Sequence, residues 1–370
     1  MTRVGVTGAN GFIGKNLVVR LSEAGHEPVG LPHDADAASL AVLLAGVDRV
    51  IHLAGVNRPQ TEAEFETGNL GMTQRLVEAL AADGRALPTV YASSIQAEAN
   101  NPYGRSKRAA EEALQQFGLA SGAPVQIWRL PNVFGKWCRP NYNSVVATFC
   151  HNIARGLPIS ISDPAAPLRL VYVDDVVSAL LAFAETDQPG QLIAVEPVYS
   201  TTLGALAEQL QAFKGSRASL MTGPVGLGLP RALHATYLSY LDPADFAYDL
   251  VAHTDPRGSF AEMLRTPDAG QFSFFTAHPG ITRGGHYHHS KTEKFLVVKG
   301  KARFGFRHIL TDETCVLETS DATPRVVETV PGWSHDITNI GDDTMVVMLW
   351  ANEVFDRDKP DTIAAKVLPA

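Results

Sequence analysis

The sequence predicts an α/β domain built on a parallel, doubly wound sheet, followed by an all-β domain. Three observations carry this reading. From residue 1 to about 185, short β-branched runs alternate with amphipathic helical stretches, as they do where helices cover both faces of a parallel sheet. After Asp242 the texture changes. Residues 255–350 hold short strand-like runs spaced by Gly, Asp and Pro turns, with hardly any helical periodicity. The chain's 370 residues, 45% hydrophobic and 19% charged, suffice for two ordinary cores. The boundary falls near 245, giving domains of 1–245 and 246–370.

In the first domain the strands are read at "RVGVTG", "HEPVGL", "DRVIHLAG", "PTVYASS" and "VQIWRLP". Between them lie the helical stretches "FIGKNLVVRLSEAG", "GNLGMTQRLVEALAADG" and "YGRSKRAAEEALQQFGLASG". A further helix, "TLGALAEQLQAFKG", precedes a Gly/Pro-rich passage, "GPVGLGLPRALHATYLSYLDP". In the second domain "FSFFTA", "EKFLVVKG", "ARFGFRHIL" and "TMVVMLWAN" read as strands.

Bulk composition excludes several function classes. No apolar run approaches the roughly 18 residues of a membrane span, and the chain enters a strand at once without a leader-like segment. The expectation is a cytoplasmic protein. Cys138, Cys150 and Cys315 are an odd, scattered set, so reduced thiols are expected. A net charge of −8 argues against general affinity for nucleic acid. Any anionic ligand must then be held by locally placed arginines, amides or helix ends.

Gly8, Gly11 and Gly14 in "TGANGFIG" follow the first strand and open a helix. Glycines there let the backbone approach a pyrophosphate, and the helix N-terminus offers free amides and a positive dipole end. "PYGRSK" sets Tyr103 and Lys107 four apart, on one helix face, and "YASSIQ" ends a strand just upstream with Ser93 and Ser94. A tyrosine works as acid or base near neutral pH when a nearby ammonium stabilises its phenolate, and a serine hydroxyl can hold the substrate oxygen.

With these motifs, and with "HLAG" at 52–55, Asn69, "RLPNVFG" and "LRLVYVDDV", residues 1–245 resemble the extended short-chain dehydrogenase/reductase family. The resemblance implies Ser94, Tyr103 and Lys107 as the catalytic trio. It also implies a nicotinamide cofactor lined by Gly8, Gly11, Phe12, Ile13, Gly14, His33, Leu53, Ala54, Tyr103 and Lys107. Asn132 and Arg169 would face the substrate, Arg169 at its diphosphate, a task suited to a planar guanidinium. Family members that are 4,6-dehydratases carry an Asp–Glu pair after the catalytic hydroxyl. Here Ile95 and Gln96 stand there, so hydride transfer is expected rather than loss of water. The second strand ends "VGLPHDAD" with no acid immediately on it. Leu31, Pro32 and His33 leave room for a 2′-phosphate, so NADP(H) is expected, while Asp34 and Asp36 nearby leave NAD open.

The second domain has its own cluster. In "HYHHSKTE", His286 and His288 are two apart and Glu293 begins the next strand run; "PGWSHDITN" adds His335 further on. Three imidazoles and a carboxylate suit Zn, Mn, Fe or Ni. His289 is a spare, either beside the ligands or a substitute for one. Gly280 lies six residues before His286 and Gly300 seven after Glu293, a spacing that resembles the two motifs of the cupin family. Where the second motif usually has a proline two residues before its glycine, this chain has Val330, with Pro331 moved next to Gly332.

An extended reductase followed by a cupin resembles the CapF family of capsular polysaccharide synthesis enzymes along the whole chain. Segments carrying it include "HLAGVNRP", "SSIQA", "FGKWCRPNYNSVVATFC", "TYLSYL" and "HHSKTEKFLVV". That resemblance implies a bifunctional oxidoreductase and epimerase on the route to UDP-N-acetyl-L-fucosamine. The cupin would epimerise C3 of a UDP-2-acetamido-2,6-dideoxy-4-hexulose, and the reductase would then reduce C4 with NADPH to the 6-deoxy-L-talose sugar. The expected partners are that UDP-linked 4-keto-6-deoxy amino sugar and a divalent metal, Zn first, held by His286, His288, Glu293 and His335. A homodimer is the expected assembly. The metal would act either as Lewis acid or as a staple for a small barrel. The alternative is a single-function nucleotide-sugar reductase with the cupin as a structural or sugar-binding module.

Overall fold

The computed structural model describes residues 1–191, 193–255, 258–261, 263–264, 266, 270–353 and 358–367. They form two compact units. One comprises Met1–Phe134, Cys138–Ser144 and Pro167–Thr201, the other Gly135–Trp137, Val145–Ala166 and Thr202–Ala370.

The first unit is built on β1 (Arg3–Thr7), β2 (Glu27–Leu31), β3 (Arg49–His52), β4 (Thr89–Ser94) and β5 (Val125–Leu130), all five of them expected from the sequence. They pair in parallel in the order β2-β1-β3-β4-β5. The β-branched residues Val4, Val6, Val50, Ile51 and Val90 are fully buried within the sheet. Helices Phe12–Glu23, Met72–Asp83 and Pro102–Ser121 bury Leu17 and Leu21, Leu76 and Leu80, and Leu114. Each such side chain is worth about 1.5–3 kcal/mol of burial. Because the strands are parallel, their ends at Thr7, Leu31, His52 and Ser94 lie along one edge, and the strand order reverses around β1. Ligands of such sheets bind outside that edge at the reversal.

Local signals fix the helix that carries Tyr103. The Asn101 side chain accepts from the Gly104 amide at 2.7 Å, Pro102 stands in the first turn, and Gly122 ends the helix at φ 73°. Helices Ala37–Leu44 and Val173–Glu185 complete the layers. A second sheet of three strands follows the order β6 (Asn132–Phe134), β7 (Pro167–Tyr172), β8 (Val198–Thr202).

The second unit holds two five-stranded sheets whose assigned pairings are antiparallel. One runs β12 (Gln271–Ala277), β19 (Met345–Ala351), β14 (Glu293–Lys299), β17 (Arg325–Glu328), β9 (Ala247–Asp249). The other runs β16 (Thr314–Ser320), β15 (Lys301–His308), β18 (Trp333–Asn339), β13 (Thr282–Tyr287), β20 (Ile363–Ala364). A separate hairpin pairs β10 (Ala252–Asp255) with β11 (Gly258–Ala261). Phe246 packs edge-on to Phe306 and Trp333, and Phe295 to Phe304, as expected of a small all-β core. The chain is thus an N-terminal Rossmann domain with a C-terminal barrel of the cupin kind.

The units divide elsewhere than the change of texture near 245, because helices Val145–Ala154, Leu203–Ser219 and Gly228–Leu238 join the barrel unit. The physical tie is a buried ion cluster. Arg217, on the second of these helices, and Lys294 on β14 both pair with Glu328 on β17. Burial opposes the charge of Glu328, yet Lys294 and Arg217 bring its carboxyl down to about 2. All three cysteines are unbridged. Among the described residues no helix is long and apolar enough to cross a membrane.

Candidate active sites

In the turn after β1, Gly8 has φ 67°, and a Cβ there would stand 2.8 Å from the Ala54 amide nitrogen. At Gly14 a Cβ would stand 2.0 Å from the Gly8 carbonyl oxygen. Both positions exclude a side chain, so the turn, the helix start and the chain after β3 close on one another. Gly11 caps Phe12–Glu23 without a side-chain hydrogen bond, leaving first-turn amides open beside the half-buried Phe12 and Ile13.

The segment after β3 is set by a hydrogen-bond chain of fixed direction. Thr7 Oγ1 accepts from the Leu53 and Ala54 amides, both at 3.0 Å, so its proton goes to His52 Nδ1 at 2.6 Å. His52 Nε2 then donates to Thr73 Oγ1 at 2.9 Å, which donates to the Asn69 carbonyl. Burial takes the His52 imidazole down to about 3, so it is neutral. Asn69 lies in a π-helical turn, Glu66–Gly71, and its side chain bonds both the Val56 backbone and Ser106 Oγ.

Ser94 ends β4 and accepts from the Gln96 amide at 3.1 Å. Tyr103 and Lys107 lie one turn apart on the adjoining helix, as the spacing predicts. The lysine ammonium donates to the Ala92 carbonyl at 3.0 Å and sits 4.3 Å from the centre of the Tyr91 ring. Burial pushes Lys107 down to about 7, while Glu111 pulls the other way. Burial raises the Tyr103 phenol, opposed by a hydrogen bond with Ser94. The phenol is therefore in its protonated, proton-donating form. Sequence reasoning missed Glu111, although Tyr103, Lys107 and Glu111 fall at i, i+4 and i+8 of one helix. Its buried carboxylate accepts from Ser93 Oγ at 2.5 Å and from Arg129 at 2.6 Å. His33 is exposed at the end of β2. Asn132 and Arg169 are both exposed on paired strands, and the Asn132 side chain donates to the Arg169 carbonyl at 3.2 Å.

In the barrel, His286, His288, Glu293 and His335 come together with their ligand atoms within 4.8 Å of one another. His286 faces His335 across the β13–β18 pair, just after a bulge at Gly284, and their ring centres are 4.7 Å apart. His288 follows the end of β13, and Glu293 opens β14. Pro331 sits in a turn closed by a bond from the Trp333 amide to the Val330 carbonyl, so its shifted position leaves His335 in the cluster. His289 stands outside it, packed edge-on to Tyr287.

Two features fit a divalent cation. His288 Nδ1 lies against the Asp361 carbonyl, which only accepts, so Nδ1 carries a proton and Nε2 is the nitrogen directed at Glu293 Oε2, 3.1 Å away. Nε2 and the carboxylate oxygen are thus aimed at one point, where a cation can be shared between them. Both ring nitrogens of His335 are buried without a hydrogen-bond partner, with Glu293 Oε2 3.5 Å from Nε2. Burial opposes the Glu293 charge, but His288 and His335 hold the carboxyl well below its usual range. Burial together with the neighbouring imidazoles takes His286 to about 4. Burial thus favours the metal-ligating neutral form of His286 and His335 beside a carboxylate kept charged. Asp361, which the sequence did not single out, accepts from the amides of His289, Ser290 and Lys291 at 2.8, 2.6 and 2.8 Å and so shapes the loop between the ligands. The cluster borders a cavity of about 210 Å³ walled by Phe275, Phe295, Phe304 and Phe306, with Arg283 as its cation.

Residues 4–195 match the NAD dependent epimerase/dehydratase family, and residues 253–363 the polysaccharide biosynthesis C-terminal domain. The chain is 58% identical over 367 residues, 99% of each sequence, to the UDP-2-acetamido-2,6-beta-L-arabino-hexul-4-ose reductase of Pseudomonas aeruginosa. It is similar to the crystal structure of the capsular polysaccharide assembling protein CapF from Staphylococcus aureus, at TM-score 0.67 and 41% identity over 98% of this chain and 100% of that one. A crystal structure of CapF with the inhibitor 3-isopropenyl-tropolone matches at TM-score 0.62 and 37% identity, over 99% and 100%. With both units matched and nearly every residue aligned, the chain belongs to the CapF-like branch of the extended short-chain dehydrogenase/reductases, within the NAD dependent epimerase/dehydratase family.

Proposed function

We propose that the chain is a bifunctional nucleotide-sugar enzyme, epimerising C3 of a UDP-2-acetamido-2,6-dideoxy-4-hexulose in the barrel and reducing its C4 ketone with NADPH in the Rossmann unit. The observation that carries the reduction is the placement of Ser94, Tyr103 and Lys107 on the sheet edge that bears the glycine turn. The name of the 58% identical relative, a hexul-4-ose reductase, supports the same reaction. When bound, NADPH supplies the hydride. Gly8, Gly11 and Gly14 would hold its diphosphate at the helix N-terminus, with Leu53 and Ala54 as the wall beside it. Ser94 holds the C4 oxygen, and Tyr103 gives that oxygen its proton as the ketone becomes an alcohol. Lys107, charged below about 7, favours the phenolate that Tyr103 leaves behind. Ile95 and Gln96 carry no carboxyl, so no residue there eliminates water. Arg169 binds the diphosphate of the sugar nucleotide.

The epimerisation rests on the His286, His288, Glu293 and His335 cluster beside an apolar cavity. A divalent cation held there, Zn foremost, would polarise the ketone as a Lewis acid. The phenylalanines keep water from the labile carbon. A tropolone's adjacent carbonyl and hydroxyl oxygens suit chelation of such an ion, in keeping with the named inhibitor of the CapF relative. The order follows from the chemistry: the C3 proton is acidic only while C4 is a ketone, so epimerisation must come first. Incubation with a UDP-4-keto-6-deoxy-N-acetylhexosamine, with and without NADPH, followed by NMR of the sugar ring tests both steps. The 3-epimer should form without NADPH and the 6-deoxy-talose sugar with it; a reduced sugar of unchanged C3 configuration would remove the barrel's proposed role.

A further inference from the structure

We propose that Arg75 recognises the adenosine 2′-phosphate and so sets the preference for NADPH over NADH, an inference that rests on the cofactor reading above. In a doubly wound sheet the end of the second strand meets the adenosine ribose. A carboxylate there binds the free 2′-hydroxyl, whereas a nearby arginine accommodates a 2′-phosphate. Two acids lie close to the end of β2, and both are directed elsewhere. Asp36 caps helix Ala37–Leu44, its carboxylate accepting from the Ser39 amide at 2.8 Å. Asp34 projects into solvent, 4.0 Å from the His33 ring.

A cation reaches the same place from the next segment. Arg75 lies in the first turn of helix Met72–Asp83, and its Nη2 donates to the His33 carbonyl at 2.7 Å. That bond carries the guanidinium across to the β2 loop; the same nitrogen also donates to Met72 Sδ at 3.6 Å. No carboxylate pairs with Arg75 among the described residues, its Nε is buried without a hydrogen-bond partner, and its Nη1 points past Gly71, which adds no side chain. A tethered, under-satisfied guanidinium beside a loop whose two acids are directed elsewhere is arranged for a dianion with several acceptor oxygens.

The test uses the full-length protein. Adenosine 2′,5′-bisphosphate and 5′-AMP are titrated calorimetrically into the parent, Arg75→Met and Arg75→Lys, and the NADPH/NADH ratio of kcat/KM is measured for each. The parent should bind the bisphosphate more tightly than AMP. In Arg75→Met that difference should shrink by roughly 10- to 100-fold, the worth of one or two charge-assisted bonds, and the NADPH/NADH ratio should fall with it. Arg75→Lys should lie between, and is read alone should Arg75→Met not fold. A parent that prefers NADPH while both variants keep the full preference overturns the role of Arg75 and leaves the cofactor reading intact. Equal losses for both nucleotides also overturn it, since they make Arg75 a loop brace. A parent that prefers NADH overturns both.

Discussion

The two candidate sites treat buried charge in opposite ways. On the Rossmann sheet edge burial strips Lys107 of most of its preference for the ammonium, leaving it near 7 with only a carbonyl, a ring face and the opposing pull of Glu111 beside it. In the barrel the buried group that stays charged is Glu293, whose carboxyl His288 and His335 hold well below its usual range, while burial takes the neighbouring His286 to about 4. A group balanced near neutral pH can take part in proton movement at little cost. A carboxylate locked in its charged form beside imidazoles cannot, but it holds a cation well. The Arg217, Lys294 and Glu328 cluster of the barrel unit shows a third treatment: one buried carboxylate paired with two cations, with a structural result.

If the barrel's site holds a cation for chemistry, removing it should have the largest effect. Chelation, or His335→Ala, should abolish exchange of the C3 proton and lower the barrel unit's melting temperature, because coordination free energy stabilises only the folded state. A variant that retains exchange and carries under roughly half an equivalent of metal breaks the contrast. Next in size, Tyr103→Phe should cost on the order of 10²-fold or more in C4 reduction while C3 exchange continues; near-normal NADPH oxidation would remove Tyr103 from the proton step.

The third effect is a pH dependence. The Lys107 ammonium is present below about 7 and lost above it, whereas the Tyr103 phenol, raised by burial, stays protonated through this window. For reduction, kcat/KM should therefore fall as pH rises through about 7, by roughly tenfold per unit, and Lys107→Met should lack that limb. The smallest effect is expected at Glu111. Its charge raises Lys107, so Glu111→Gln should move the same limb to lower pH. A lower rate with an unmoved limb would make Glu111 a purely structural partner of Ser93 and Arg129.

Legibility in the sequence followed how local the cause is. Strands β1 to β5 and the helix that carries Tyr103 and Lys107 arise from short contiguous signals, and each stands where its pattern placed it. His286, His288 and Glu293 could be grouped because they lie within eight residues of one another, whereas His335 joined them only through the resemblance to the second cupin motif. Asp361 left no such signal: it meets the amides of His289 to Lys291 from about seventy residues away, and a lone aspartate has no periodicity. Helix Gly228–Leu238 was hidden by Gly228 and Pro230 in its first turn, which read as loop, while Ala232 to Leu238 are buried and packing overrides the propensity. The Asn69 turn widens to a π-helix where its side chain reaches back to Val56, a tertiary cause. Arg75 likewise acquires meaning only through a bond to the far strand's loop.

The central claim is that the barrel makes the epimer and the Rossmann unit traps it. The direct measurement is to run the full reaction with NADPH in deuterium oxide and read C3 of the reduced sugar by NMR. The account predicts the inverted C3 configuration with deuterium on that carbon, because the proton removed in the barrel is replaced from solvent before C4 is reduced. A reduced sugar that keeps its original proton and configuration at C3 would contradict it.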